Sequence, residues 1–180
     1  MKYFPSIILL FFSFFTSVSC STNNDTTKID QPSYFDLASY FRQQAILLQR
    51  KNPMILKTVG KNMETEQKKL KLDNWQKEFE LFSSSDINKS DWRQSYRIDS
   101  TDEKLNYRAK SSRLRTKEIT IYKNRNGIIK HIHILNGEKN WLYESIEQLD
   151  YYPDSLYQIA KEQSIRIIGQ NQYTIIGKIL

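Results

Sequence analysis

Apolar residues in this 180-residue chain repeat at helical spacing over about 34–51 and 73–82, and at every second position beyond about residue 92. Within the helical part, Leu37, Tyr40, Phe41, Ala45 and Leu48 fall on one face. Ser33 with Asp36 fits a capping box in its acidic variant, and Asn52-Pro53 is a stop, so a helix is predicted over about 34–51. Residues 54–72 read as two strands around a turn near Gly60-Lys61-Asn62, with a helix over 63–72 as the alternative. Asp73 reads as the N-cap of a short second helix reaching about Phe82, with Trp75, Phe79 and Phe82 along one face.

From Trp92 onward the period is two, the signature of strands. Residues 96–98 and 105–109 flank a turn at Ser100-Thr101-Asp102, and 117–122 leads into the hairpin turn Asn124-Arg125-Asn126-Gly127. Residues 128–135 return, Asn136-Gly137 turns again, and 141–149 follows up to Tyr151-Tyr152-Pro153-Asp154. A long strand over 156–168, a turn at Gly169-Gln170-Asn171 and a last strand over 172–179 complete the series. Short connections between neighbours predict a curved antiparallel meander of about seven or eight strands. The fold class is α+β, with the helix 34–51 and the second short helix packed on one wall of the sheet.

The amino terminus adds a compartment. Lys2 precedes the apolar run Ile7–Phe15, and Ser17-Val18-Ser19-Cys20 closes it with small residues, which together describe a removable secretory signal over residues 1–19. The run is too short and too broken to span a bilayer, which takes roughly 20 apolar residues. Cys20 is the only cysteine, so no internal disulfide can form, and its place at the cut site resembles the lipobox of bacterial lipoproteins. Ser17 stands where such boxes usually carry leucine, as in the looser boxes of Bacteroidota lipoproteins. That resemblance implies lipid on Cys20 as the membrane anchor, a tether over 20–32, and a single globular domain over 33–180. The loose lipobox, polar tether and Tyr-rich sheet resemble outer-membrane lipoproteins of the Bacteroidota. The sheet with a helix against it is similar in architecture to the LolA/LolB lipoprotein carriers. Only Asp25 is acidic just after the cysteine, which favours a periplasm-facing position over surface display.

Charge changes the picture in one segment. The chain is +7 overall, yet nine basic residues and a single acid, Glu118, lie between Lys104 and Lys130. Arg108, Lys110, Arg113, Arg115, Lys117, Lys123 and Arg125 are therefore candidates for a surface that meets an envelope protein, anionic lipid or polysaccharide. The alternative is that basic and acidic strands pair across the sheet. Nucleic acid is a poor partner for an exported chain.

Candidate chemistry is sparse. His131 and His133 are the only histidines and share a strand face, with Ile129 and Leu135 expected beside them. Two imidazoles can begin a metal site, which needs three or four ligands, so the pair is a weak metal candidate and no cofactor is expected. Glu144 and Glu147 offer carboxylates without a distinctive spacing. No nucleophile motif or phosphate-binding glycine loop occurs, and no catalytic residue is assigned. The expected function is a membrane-anchored, non-catalytic binding or assembly module. The alternatives are a lipid- or lipoprotein-handling protein holding an acyl chain in the concave sheet face, or a hydrolase or metal-dependent enzyme.

Overall fold

The computed structural model describes residues 34–180. The expected signal peptide, Cys20, the tether and Ser33 lie outside the described residues. The chain forms α1 (Leu37–Lys51), β1 (Met54–Lys61), β2 (Glu64–Lys71), α2 (Trp75–Glu78) and α3 (Glu80–Ser84). Seven strands follow: β3 (Tyr96–Ser100), β4 (Lys104–Ala109), β5 (Thr116–Lys123), β6 (Ile129–Lys139), β7 (Tyr143–Tyr152), β8 (Leu156–Ile165) and β9 (Gly169–Ile179). The architecture is the expected α+β one, helices on a single antiparallel sheet. Strands β3 to β9 form the sequential meander, and the β1–β2 hairpin extends the same sheet to nine by pairing β1 with β9. The strand reading of 64–71 holds and the helical alternative does not.

Local boundaries differ from the sequence reading in several places, and Gly60, Lys61 and Ser100, expected in turns, end strands. α1 begins at Leu37 with Asp36 as its cap, accepting from the Ser39 amide at 2.9 Å. Residues 34 and 35 are instead tied to Asn88 Oδ1 (3.0 Å) and the Tyr107 hydroxyl (2.9 Å), which holds them out of the helix. The second helix is capped by Asn74, not Asp73, and breaks at Phe79 into α2 and α3, with Trp75, Phe79 and Phe82 all buried. Asn136-Gly137 does not turn, because β6 continues through both to Lys139 while Asn136 is anchored inward to Ser85 Oγ at 2.9 Å. Gly169-Gln170-Asn171 lies inside β9, and the turn falls at residues 166–168.

The core lies between the helices and one face of the sheet. Leu37, Phe41, Ala45 and Leu48 of α1 meet Trp75, Phe79 and Phe82 from below and Tyr151, Tyr157, Ile132, Ile134 and Leu149 from the strands. Phe41 sits 5.5 Å from Phe79, 4.8 Å from Phe82 and 5.2 Å from Tyr151, ring centre to ring centre. Burial of each such side chain contributes about 1.5–3 kcal/mol. Glu78 of α2 reaches down to Lys57 Nζ (2.6 Å) and accepts from the Tyr157 hydroxyl (2.5 Å), pinning the helix to β1 and β8. At the far edge, β2 is almost wholly exposed and carries Glu64, Glu66, Lys68, Lys69 and Lys71, charges that discourage pairing with another chain.

Gly177 makes room for Tyr157. A Cβ at that position would lie 2.1 Å from the tyrosine ring, and no backbone movement within a paired strand relieves that easily. Gly177→Ala is expected to destabilise the domain by about 1–3 kcal/mol, read as a lower urea midpoint at unchanged slope; an unaltered midpoint contradicts this packing.

Candidate functional site

Because the helices occupy one face of the sheet, alternation sends the remaining side chains of each central strand to the other face. Ile132 and Ile134 are buried under the helices, so His131 and His133 project from the opposite side. Asp150 of β7 is the register partner of His133. Its Oδ1 lies 2.7 Å from His131 Nε2 and 2.8 Å from His133 Nδ1, so one carboxylate oxygen faces both imidazoles. All three side chains are half-buried, and one ligand atom from each lies within 4.8 Å of the others. They are the set among the described residues with the donors to hold a metal ion.

Neighbouring strands fix these groups. The His131 ring is parallel to Tyr152 at 4.2 Å and to Tyr122 at 5.2 Å, one from each flanking strand. On β5, Glu118 accepts from Asn106 Nδ2 (2.7 Å), with Thr120 Oγ1 3.3 Å away and Arg108 Nε at 3.5 Å. Asp150 is held below the ordinary carboxylate range: burial works against this, and the hydrogen bonds from His133 and His131 prevail. His133 is raised by its bond to Asp150, against the opposing effect of burial. A carboxylate placed this way orients imidazole rings and prefers a positive partner.

Ile129, expected on the histidine face, packs against the core instead. Lys130 is an extra residue between the pairs Tyr122–His131 and Lys123–Ile129, and this bulge breaks the alternation. Glu144 and Glu147 do not converge. Three residues apart on a strand, they take opposite faces: Glu144 is exposed and pairs with Lys139 at 2.8 Å, while Glu147 is buried on the helix side. There Glu147 meets Arg115 (2.7 Å) and Lys161 (3.1 Å) in a polar cavity of about 260 Å³ also lined by Asn136, Glu138 and Tyr143.

The basic segment is divided by the same geometry. Arg108 pairs with Glu118, and Arg125 lies 3.9 Å from Glu103. Arg115 is committed to Glu147 and Glu138, and Lys117 to the Ser112 and Leu114 carbonyls. Lys110 and Arg113 sit in the β4–β5 connection, at the opposite end of the strands from Lys123 and Arg125. The seven cations therefore do not form one continuous patch. Sequence reasoning found the histidines but not Asp150, Glu118, Tyr122 or Tyr152, since their meeting depends on register between strands.

Comparison with protein-family models, with curated proteins and with solved structures finds no match. Assignment of the site therefore rests on its geometry.

Glu118 supplies a pH test. Burial alone raises its pKa, but the bonds from Asn106, Arg108 and Thr120 bring it below the ordinary value, so its stabilisation is present above the unfolded carboxylate pKa and is lost as pH falls through the folded one. Glu118→Gln is expected to be less stable than wild type at pH 7 and to converge with it towards pH 3, followed by urea denaturation across that range. Parallel curves for the two proteins contradict the assignment.

Proposed function

We propose that the chain is an outer-membrane lipoprotein facing the periplasm, held by lipid on Cys20, whose domain is a non-catalytic binding or assembly module standing close to the bilayer. One observation carries the reading. Three neighbouring hairpins, β1–β2, β8–β9 and β6–β7, turn at the same end of the sheet, and their tips are apolar. Met63 is 100% exposed, Ile167 88%, Trp141 80% and Ile168 74%, with Leu142 beside them. The tips adjoin: the Arg166 amide donates to Leu142 O at 3.1 Å, and the Asn62 amide to Gln172 O at 2.8 Å.

Exposed tryptophan and isoleucine on loop tips are costly in water and suit the interfacial layer of a membrane. Lys61 and Arg166 flank the tips, and Lys110 and Arg113 are at the same end, cations that can meet anionic headgroups beside Glu64 and the Lys139–Glu144 ion pair. The described chain also starts near this end, because Tyr34 bonds the Tyr96 amide where β3 begins. A lipid on the preceding segment and apolar tips then act together, and two weak attachments combine into a firm one.

The lipid-handling alternative loses its main support. It calls for an apolar cavity between α1 and the sheet, and that space is filled by Phe41, Phe79, Phe82 and Tyr151. The enzyme reading retains one specific observation, the half-buried Asp150 between two imidazoles.

Cys20→Ala is expected to move the protein from the membrane pellet to the soluble fraction, with loss of acyl mass from the mature amino terminus. Within that background the unlipidated protein should still co-sediment weakly with vesicles containing phosphatidylglycerol, and Trp141→Ser with Ile167→Ser should cut that binding by about 10-fold or more. Retention of the cysteine variant in the pellet without acyl mass would sink the anchor. Vesicle binding indifferent to the tip substitutions would sink the docking end.

A further inference from the structure

We propose that His131, His133 and Asp150 bind a divalent transition-metal ion of the zinc class, with one coordination position open to water or a ligand. The inference goes beyond the membrane reading and does not depend on lipid at Cys20.

The chain's two histidines aim ring nitrogens at the same carboxylate oxygen, at 2.7 and 2.8 Å. Zinc takes imidazole nitrogen at about 2.0–2.1 Å and carboxylate oxygen at about 2.0–2.2 Å, so tetrahedral ligand atoms stand roughly 3.3 Å apart. The carboxylate oxygen must separate from each nitrogen by only about half an ångström to admit the ion, and the nitrogens, within 4.8 Å of each other, settle to the same spacing. Without it, both rings have to present N–H to one oxygen. With it, each ring moves its proton to the opposite nitrogen and both lone pairs and the carboxylate meet a single cation.

The scaffold is built for such a site. Two ligands lie at alternate positions of β6 and the third on the paired strand β7, so backbone hydrogen bonds set their spacing. Tyr122 and Tyr152 clamp the plane of His131 from both sides. Rigid placement of ligands, together with the groups that orient them, governs metal affinity.

Ligand chemistry selects the class of ion. Two imidazoles and one carboxylate suit zinc and its neighbours, whereas magnesium and calcium require shells of oxygen. The next carboxylate on this face, Glu118, is occupied by Asn106, Thr120 and Arg108. Three protein ligands with a position to spare is the arrangement of sites that bind or activate a further molecule, in contrast to closed structural sites with four.

The test uses the full-length chain without an affinity tag, purified in detergent and stripped with chelator. Calorimetric titration with Zn²⁺ should give one equivalent bound, and Co²⁺ should produce the intense visible bands of a four-coordinate ion. Asp150→Asn and His133→Gln should each weaken Zn²⁺ binding by at least the roughly 10–100-fold that loss of a mere orienting partner costs, at unchanged circular dichroism. Asp150→Asn, which keeps side-chain volume, guards against a folding defect in the histidine variant. Excess Mg²⁺ should not compete. No stoichiometric uptake at micromolar metal, equal affinity in the variants, or competition by Mg²⁺ overturns the proposal. Membrane fractionation of the same variants should match wild type, so failure of the metal site leaves the anchoring reading separately decided.

Discussion

Burial of Ile132 and Ile134 beneath the helices governs the rest of this molecule. Residues 131–134 read His-Ile-His-Ile, and a strand cannot send neighbours to the same side. Pressing the isoleucines into the aromatic cluster of Phe41, Phe79, Phe82 and Tyr151 leaves the imidazoles no choice of face. The same rule on β7 buries Leu149 and Tyr151 and turns Asp150 outward, opposite His133. A slip of one residue would bring the charged groups inside and expose the core, so packing on one face protects the geometry of the other. Two hydrophobic contacts per strand thus position a polar group they never touch.

Much of the architecture was legible in the apolar periods. The face of α1 and the alternation in the later strands were plain, and both histidines could be assigned to one side before any fold was known. Breaks in the pattern were harder to see. Asn136-Gly137 has the composition of a turn, yet Asn136 is drawn inward by Ser85 and the strand runs on. Trp75, Phe79 and Phe82 fit one face of a continuous helix, yet the helix breaks at Phe79, where the backbone leaves helical geometry. The companions of the histidines were invisible for a deeper reason. Asp150 follows His133 by 17 positions, and Glu118 precedes it on another strand. Such meetings are fixed by hairpin register and by bulges at Lys117 and Lys130, which no local period encodes.

Electrostatics follow the same logic. The dense basic segment suggests a single positive surface when read in one dimension. Folding distributes it over both faces and both ends of the sheet, and supplies carboxylates from other segments, Glu147 of β7 to Arg115 and Glu103 of the β3–β4 turn to Arg125. What remains unpaired by carboxylates near the apolar tips is a smaller set. Linear charge density is a poor guide to surface potential in a meander, because successive residues alternate sides and successive strands reverse direction.

The union of β1 with β9 has a consequence for how the domain is made. Asn62 and Gln172, which bond across this junction, are 110 residues apart in sequence. Everything from β2 to β8 must be spooled out before β1 finds its neighbour. Closing so long a loop is entropically slow, and until it happens the first hairpin carries a bare edge. During that interval the charged outer strand β2 shields the half-built hairpin on its other flank, so only one side of it is open to unwanted pairing.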